Sequence, residues 1–424
     1  MLSLKYIREN IDIVKESLHL KQSDIDISNL LDLDTQRRKY LLEVEQLRAE
    51  KNKVSNAISD LKKTGENAQN HITNMRLVSD KIKDIETALN EVNSNIDAVI
   101  YYIPNNVHSS VPSGKDETAN VVVKVWGEKP DFSFSPRDHL ELGNKLELFD
   151  FKRSVKIAGS GFPLYTGSGA RLERSLINFM LDYHISQHGY RELFPPFLAH
   201  TEAMQNTGQL PKFEEDMYYI PEDGLYCIPT AEVPVTNIHQ GEIMAESELP
   251  KRYVAYSACF RREAGSYGKD TKGLARVHQF NKVELVKFVQ PEKSYEELEL
   301  LLKDAEAILQ TLGLHYRVLE LCSGDLSFSA SKCYDLEVWS PAEAKYLEVS
   351  SCSNFETFQA RRGNIRFRNN KTGKAELIHT LNGSGVATPR LMVALLETYQ
   401  QENGTIQLPS ALHSYMNMEV LSNS

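Results

Sequence analysis

The chain has 424 residues, of which 41% are hydrophobic and 25% are charged. Because this length exceeds the usual size of one hydrophobic core, two or three domains are expected. The formal net charge of −10 excludes indiscriminate binding to nucleic acid, since such binding depends on lysine and arginine side chains that neutralise phosphates. Any contact with RNA must therefore be local.

Neither a membrane span nor a secretory signal is visible in the sequence. No apolar run approaches the roughly 18 residues that cross a bilayer. The N-terminus leads into charges at Arg8, Glu9 and Asp12 without the apolar core of a signal peptide. We therefore expect a cytoplasmic protein with no membrane partner. The 5 cysteines form no C-x-x-C pair, which indicates reduced and mostly buried thiols.

Two long helical seams dominate the N-terminal region, after a short amphipathic helix predicted at residues 3–20. Apolar residues recur at alternating steps of three and four, broken only by Arg37 and Lys51, and they are Leu30, Leu33, Tyr40, Val44, Leu47, Val54, Ile58 and Leu61, then Met75, Val78, Ile82, Ile85, Leu89, Val92, Ile96 and Val99. A turn with Gly65 joins the seams, which predicts an antiparallel two-helix coiled-coil arm over about residues 30–100. Periodicity alone favours a plain dimerisation or spacer coil.

The distal half of this arm differs in charge from the rest of the chain. Residues 48–76 carry six lysines and arginines against three carboxylates, a local charge of +3. Contacts with phosphate are expected there, through Arg48, Lys51, Lys53, Lys62, Lys63 and Arg76. Residues 104–120 are rich in Pro, Asn, Ser and Gly and are predicted to be a linker. The expected domains are thus residues 1–103 and 121–424.

The first informative segment of the larger domain is a helix followed by a short strand. A predicted helical face contains Leu172, Leu176 and Tyr183, ends near Gly189, and precedes a strand that stops at Pro195-Pro196. Taken alone, this pattern indicates only packing.

The second segment is a hairpin whose polar face can hold a nucleotide. A strand at Tyr253–Phe260 is followed by a polar loop at 261–273 and a predicted return strand at Leu274–Val289. Period-two alternation places five polar or aromatic residues on one face, namely Arg276, His278, Phe280, Lys282 and Glu284. Arg261 and Glu263 leave the first strand nearby, so a guanidinium, a carboxylate and a ring converge. The alternative is a solvated outer face of a sheet.

The third segment runs from a predicted strand at Ile378–Asn382 through residues 383–385 into a helix. Thr388 is a suitable N-cap, and Pro389 suits the first helical position. Arg390 then lies in the first turn, where it adds to the positive end of the helix dipole and favours a triphosphate. A salt-bridged surface arginine is the alternative.

Two shorter stretches offer oxygen atoms. Glu348, Val349, Ser350 and Ser351 end a strand-like run and include hard ligands of the kind that Mg²⁺ prefers. The stretch Thr230-Ala231-Glu232 lies between two prolines and is predicted to be a rigid loop that presents one hydroxyl and one carboxylate.

Together these segments resemble a class II aminoacyl-tRNA synthetase, and specifically the bacterial type of the seryl-tRNA synthetase family. Besides the arm, the resemblance rests on six stretches in this order, 208–213 (GQLPKF), 228–234 (IPTAEVP), 259–265 (CFRREAG), 277–280 (VHQF), 348–354 (EVSSCSN) and 381–385 (LNGSG). It implies an α+β fold, an antiparallel-sheet class II catalytic domain with an N-terminal coiled-coil arm. It also implies a homodimer, because the segment ending at Pro195-Pro196 matches the family's first motif, which builds the subunit interface.

The activity implied by the resemblance is the charging of tRNA with serine. The serine carboxylate attacks the α-phosphorus of ATP, and serine is then transferred to the terminal adenosine of tRNA(Ser), and of tRNA(Sec) where present. The implied catalytic residues are Arg261 at the α-phosphate and Arg390 at the γ-phosphate. The other implied ATP contacts are Arg262, Glu263 at the adenine amino group, Phe280 at the ring, Glu348, Val349, Ser350 and Ser351. Glu348 and Ser351 match Mg²⁺ positions, and the implied serine contacts are Thr230, Ala231, Glu232, Glu284 and Ser384.

Two rival functions stay open at this point. Another class II ligase, which would charge threonine, proline or a carrier protein, is disfavoured by the 230–232 stretch together with Glu284 and by the arm. A buried carboxylate at Glu284 that accepts the serine hydroxyl would also reject alanine by about 10⁴ or more. A catalytically inactive relative that binds RNA is disfavoured because the arginines and carboxylates of the motifs are all present.

Overall fold

The computed structural model describes residues 1–264 and 272–423. Residues 265–271, within the predicted polar loop, and Ser424 lie outside the described residues. The chain forms two compact units, of which the smaller comprises Leu2–His19 and Ser23–Pro104 and the larger comprises Met1, Leu20–Gln22 and the chain from Asn105 onward. Among the described residues, no helix combines the length and apolar character that a membrane span requires. All 5 cysteines are free thiols, and only Cys227 is partly exposed.

The smaller unit is helical, with α1 at Leu4–Glu9, α2 at Ile11–Leu20, α3 at Ile27–Thr64 and α4 at Gln69–Ile100. The single helix predicted at residues 3–20 is thus divided at Asn10, which ends α1. The coiled-coil arm is confirmed. Arg37 Nε donates to Asn93 Oδ1 at 3.0 Å and Arg48 donates to Glu86 at 2.7 Å, so the two long helices run antiparallel. Gly65 ends α3 in the left-handed conformation, with φ of 74°, which glycine adopts without steric cost.

The larger unit contains nine helices and sixteen strands within the described residues. The helices are α5 His139–Lys145, α6 Phe151–Ala158, α7 Gly167–His188, α8 Thr201–Thr207, α9 Glu232–Asn237, α10 Ser294–Thr311, α11 Phe358–Arg362, α12 Thr388–Thr398 and α13 His413–Met416. The strands are β1 Val121–Trp126, β2 Arg191–Leu193, β3 Leu198–His200, β4 Tyr218–Ile220, β5 Leu225–Cys227, β6 Ile243–Ala245, β7 Lys251–Phe260, β8 Gln279–Val289, β9 Tyr316–Glu320, β10 Lys332–Ser340, β11 Lys345–Asn354, β12 Arg366–Arg368, β13 Ala375–Leu377, β14 His379–Ala387, β15 Ile406–Gln407 and β16 Val420–Leu421.

One eight-stranded sheet organises this unit, in the order β1-β9-β10-β11-β14-β8-β7-β2. Every neighbouring pair in it is antiparallel except the edge pair of β2 and β7, which is parallel. Helices α7, α10 and α12 pack against the sheet through a buried apolar core that includes Leu176, Leu285, Leu301 and Leu391. The antiparallel α+β fold expected from the sequence is therefore confirmed, and the other face of the central strands is left for a site.

Two strand boundaries differ from the sequence prediction. Strand β8 begins at Gln279 and not at Leu274, because the preceding residues bond to neighbouring loops. His278 N donates to Gly161 O at 2.7 Å, and Leu274 N donates to His139 Nε2 at 3.3 Å. Strand β14 continues through residues 383–385 to Ala387, beyond the predicted end at Asn382. A Cβ atom on Gly383 would lie 2.9 Å from Cys352 Sγ, so this glycine permits close packing between strands.

The prediction that Thr388 caps α12 is wrong. The helix begins at Thr388 itself, Ala387 takes the N-cap position, and no side chain caps the helix. The Thr388 hydroxyl instead donates to Glu173 Oε1 at 2.5 Å. Arg390 still lies in the first helical turn, as predicted.

Candidate active site

The cleft face of β8 carries the residues that define the site. Phe280, Lys282 and Glu284 alternate along it, while Val283 and Leu285 on the opposite face are fully buried in the core. Arg276 and His278 precede the strand and are not part of its alternation. Arg276 nevertheless reaches the cleft, where its guanidinium lies 3.1 Å from Glu263 Oε2.

A cavity of about 300 Å³ forms one half of the cleft. It is lined by Arg261, Glu263, Phe280, Lys282, Glu348, Val349, Ser350, Ser351, Ser384 and Arg390, together with apolar and main-chain atoms of their neighbours. The Arg261 guanidinium carbon lies 5.1 Å from the centroid of the Phe280 ring, so a cation and an aromatic face are adjacent. This half therefore offers a ring face and positive charge, the groups that bind a nucleotide.

Arg390 stands at the far wall of this cavity and is held in place by main-chain oxygens. Its Nε donates to Ala275 O at 3.0 Å, and its NH1 donates to Glu348 O at 2.9 Å. The Glu348 carboxylate is 3.5 Å from the same NH1 and half exposed. The guanidinium thus lies in the cleft wall at the positive end of α12, where both charges attract an anion.

A second cavity, of about 500 Å³, adjoins the first and contains the buried carboxylates Glu232 and Glu284. Glu284 is only 2% exposed and forms an ion pair with Lys282, which is also buried. Thr230 Oγ1 donates to Glu284 Oε2 at 2.8 Å. Ser384 lines both cavities and pairs with Glu284 across β14 and β8. A buried carboxylate with fixed partners can accept a hydrogen bond from a small hydroxyl ligand.

Glu232 is the second buried carboxylate of this cavity. It begins α9, so the predicted rigid loop ends at this residue. Gln359 Nε2 donates to Glu232 Oε1 at 2.6 Å. Burial raises the pKa of Glu232 to about 7, and the nearby charge of Glu284 acts in the same direction. Two carboxylates so close together favour a cationic ligand, because an ammonium would offset their repulsion.

Oxygen atoms suited to a divalent cation meet where β10 and β11 pair. Glu348 and Ser351 both line the cleft. Ser351 Oγ donates to Asp335 Oδ1 at 2.5 Å. Burial, and then the charge of Glu348, raise the pKa of Asp335 well above its ordinary value. This donor set fits Mg²⁺, which takes carboxylate and other oxygen ligands.

The remaining predicted residues lie elsewhere in the larger unit or on the arm. Ala231 is buried in a packed core, and the Arg262 guanidinium lies 5.8 Å from the centroid of the Tyr218 ring. Neither residue is in the described lining of the two cavities. On the smaller unit the six cationic residues predicted to contact phosphate are exposed. Of these, Arg48 pairs with Glu86 at 2.7 Å and Lys63 with Asp60 at 3.1 Å.

Four residues in or directly behind the cleft have no role predicted from the sequence, namely Lys282, Asn382, Gln359 and Asp335. The period-two alternation placed Lys282 beside Glu284, so that signal could have found it. Gln359 and Asn382 carried no such signal, since their contacts with Glu232 come from distant parts of the chain. For Asp335 the sequence signal was indirect, because β10, which contains it, directly precedes and pairs with β11, which contains Glu348 and Ser351.

Comparisons with known proteins agree with this geometry. Residues 1–107 match the Seryl-tRNA synthetase N-terminal domain, and residues 213–399 match the tRNA synthetase class II core domain (G, H, P, S and T). A serine–tRNA ligase from Chloroherpeton thalassium is 54% identical over an alignment of 427 positions, which covers 99% of this chain and 100% of that protein.

Solved structures extend the likeness to the whole fold. The seryl-tRNA synthetase from Pyrococcus horikoshii, complexed with ATP, superposes with a TM-score of 0.93 at 36% identity and covers 100% of both chains. The cytoplasmic serine–tRNA ligase from Naegleria fowleri, in complex with AMP, superposes with a TM-score of 0.87 at 27% identity and covers 100% of this chain and 99% of that one.

The antiparallel sheet, the cleft and the matched core domain define a class II aminoacyl-tRNA synthetase. Within that class, the identity over the full length and the matched N-terminal domain are specific to one family. The chain belongs to the seryl-tRNA synthetase family.

The raised pKa of Glu232 predicts a pH-dependent gain in stability for Glu232→Gln. Because the folded pKa is about 7 and the ordinary value is 4.5, the neutral form is favoured in the folded chain and stability is lost as pH rises through this range. The permanently neutral variant should exceed the parent in free energy of unfolding at pH 8 by up to about 3 kcal/mol, with most of the difference gone at pH 5. Urea unfolding at both pH values measures this.

The control is Glu66→Gln, which removes one exposed negative charge from the arm. A difference between Glu232→Gln and the parent that is the same at both pH values would contradict burial as its cause.

Proposed function

We propose that the chain activates L-serine with ATP and transfers serine to the terminal adenosine of tRNA(Ser). The observation that carries this proposal is the pair of buried carboxylates, Glu232 and Glu284, beside a cationic cavity with an aromatic wall. One carboxylate suits an ammonium and the other suits a hydroxyl, which are the two polar groups that serine adds to its carboxylate. The cationic cavity suits a nucleotide triphosphate.

ATP is assigned to the half of the cleft that contains Phe280. Its adenine would stack on that ring, with the amino group toward Glu263 and the α-phosphate toward Arg261. The γ-phosphate would lie against Arg390 at the start of α12, where the helix dipole adds to the positive charge. Val349 and Ser350 contribute to the wall of the same cavity. Arg262 would need to turn away from Tyr218 to reach the nucleotide.

Glu348 and Ser351 would hold Mg²⁺, with Asp335 hydrogen-bonded to Ser351 behind them. The cation would neutralise charge on the phosphates, which lowers the barrier to attack by an anion. Serine is assigned to the other half of the cleft. Its ammonium would bind Glu232 with Thr230, and its hydroxyl would donate to Glu284, close to Ser384.

The proposed reaction requires the protein mainly to position its substrates. A serine carboxylate oxygen forms a bond to the α-phosphorus, the bond from that phosphorus to the bridging oxygen breaks, and pyrophosphate leaves. In the second step a ribose hydroxyl of the terminal adenosine attacks the carbonyl carbon, and AMP leaves. Arg261 would stabilise the charge that develops at the α-phosphorus, because it is placed before the reaction begins.

The amino acid specificity is tested by ATP–pyrophosphate exchange across amino acids. We expect serine to support exchange, and alanine to be slower in kcat/KM by about 10⁴ or more, because alanine leaves the buried Glu284 without its hydroxyl partner. Exchange with threonine or proline in place of serine would indicate another class II ligase. Absence of exchange with every amino acid, together with retained RNA binding, would indicate an inactive relative.

We assign residues 1–103 to tRNA binding, 104–120 to a linker and 121–424 to catalysis. The support is the local positive charge and the exposure of the arm residues Lys51, Lys53, Lys62 and Arg76, with Arg48 and Lys63 beside them. Where tRNA(Sec) is present, it would be charged through the same two steps. A protein that supplies charged tRNA to ribosomes is expected in the cytoplasm.

Reversing two charges on the arm, by Lys62→Glu with Lys63→Glu, should impair the transfer of serine to tRNA and spare the activation of serine. We expect kcat/KM for tRNA charging to fall by about tenfold or more, whereas serine-dependent pyrophosphate exchange stays within about twofold. The slope of log Kd for tRNA against log salt should fall by about one for each phosphate that the variant no longer neutralises. Lys62→Arg with Lys63→Arg is the matched control, because it keeps both charges. An equal loss of exchange would contradict a role limited to tRNA.

We also propose that the chain acts as a homodimer. Strand β2 is an edge of the main sheet, and Phe194 beside it is 77% exposed. A large exposed aromatic next to an edge strand is usually covered by a partner. Sedimentation equilibrium at micromolar concentration should give twice the mass of one chain, and Phe194→Asp should shift the mass toward that of one chain. A single-chain mass for the parent protein would contradict the proposal.

A further inference from the structure

Glu173 is a buried carboxyl that joins three elements of the larger unit. It lies on α7 and is only 5% exposed. Its Oε1 accepts a hydrogen bond from Asn281 Nδ2 at 2.7 Å and another from Thr388 Oγ1 at 2.5 Å. The same Thr388 hydroxyl lies 3.1 Å from Asn281 O. One carboxyl oxygen therefore connects α7, β8 and the start of α12.

The two donors are neighbours of the residues assigned to ATP. Asn281 lies between Phe280 and Lys282 in β8, and its side chain is on the opposite face of the strand, toward α7. Thr388 precedes Arg390 by two residues in the first turn of α12. A strand and a helical turn are stiff over two residues. Any shift of either donor would therefore change the distance between the Phe280 ring and the Arg390 guanidinium.

The orientation of Asn281 is itself fixed. Tyr256 OH donates to Asn281 Oδ1 at 3.0 Å, which leaves the amide nitrogen to face Glu173. Thr388 likewise uses its hydroxyl for Glu173 and not for capping its own helix. Both donors are thus committed to the carboxyl, although Thr388 would ordinarily gain stability as a cap.

The carboxyl is only partly satisfied by its surroundings. Glu173 Oε2 is buried and has no hydrogen-bond partner among residues 1–264 and 272–423. Burial raises the pKa of Glu173 to about 7, so a charge there opposes folding at neutral pH. The hydrogen bonds to Oε1 offset part of this opposition, because without them the partly buried Asn281 amide would lack its acceptor.

We propose that Glu173 is a positioning residue for ATP, which sets the spacing between the Phe280 ring and the Arg390 guanidinium through Asn281 and Thr388. This inference rests on the proposed function, because Phe280 and Arg390 are assigned there to the two ends of the nucleotide. Glu173 does not touch ATP. It acts from behind β8 on two residues that do.

Kinetics of ATP–pyrophosphate exchange test the inference. Glu173→Ala removes the shared acceptor and should raise KM for ATP by about 10- to 100-fold, while KM for serine changes by less than about threefold. Glu173→Gln keeps an acceptor oxygen of the same reach and should bring KM for ATP back to within about threefold of the parent. Thr388→Val should raise KM for ATP several-fold, and adding it to Glu173→Ala should cause no further rise, because both changes break one link.

Leu176→Ala is the matched control. It removes a fully buried side chain from the same helix and should lower the urea midpoint, yet leave KM for ATP within about twofold. A comparable rise in KM for ATP in this control would overturn the inference, as would an equal rise in both KM values for Glu173→Ala. If Glu173→Ala fails to fold, Thr388→Val carries the same test.

ATP affinity measured by equilibrium dialysis without an amino acid separates this inference from the proposed function. A parent protein that binds ATP but shows no serine-dependent exchange would contradict the proposed function alone. A parent protein that exchanges with serine, but whose ATP affinity is unchanged by Glu173→Ala and by Thr388→Val, would contradict the positioning role alone.

Discussion

The ion pair between Lys282 and Glu284 is the interaction on which the site depends. Both side chains are buried, and a buried carboxylate without a partner would strongly oppose folding. The pair forms because the two residues are two positions apart on one face of β8, while Val283 and Leu285 on the other face belong to the core. A shift of register by one residue would exchange core and site, so packing of the core also fixes the chemistry.

The cleft has Arg390 at one end and two buried carboxylates at the other, and this arrangement explains how one site can take two ligands. Arg390 lines the first cavity, Glu232 and Glu284 line the second, and Arg261 lines both. In the proposed function a triphosphate and an ammonium each meet charge of opposite sign, and their reacting atoms meet near the boundary. Because Arg390 is held by main-chain oxygens, Glu232 by Gln359 and Glu284 by Thr230, these three side chains need little rearrangement during reaction.

Local periodicity made the arm and the β8 alternation predictable from the sequence, because each is a repeat within one element. The end of the strand predicted at Ile378–Asn382 is wrong, because Gly383 and Gly385 continue the strand and permit close packing, Gly383 against Cys352 and Gly385 against His184. Thr388 was misread as a cap because its hydroxyl bonds to Glu173, 215 residues away. The contact between Gln359 and Glu232 could not be predicted either, because 127 residues separate them in the sequence. The roles of the site residues remain predictions.

Glu173 and Glu232 are two buried carboxyl groups whose ionisation destabilises the folded chain. Burial raises the pKa of each to about 7, so both reduce stability at neutral pH. Each accepts a hydrogen bond from a residue of a different element, Asn281 for Glu173 and Gln359 for Glu232. These hydrogen bonds can form only when the elements have packed together. The apolar core shared by α7, α10, α12 and the sheet stabilises the elements around Glu173, and a second cluster with Ala231 and Val235 stabilises those around Glu232. The site therefore depends on the apolar cores, which bring its elements together, and on the hydrogen bonds that fix its side chains.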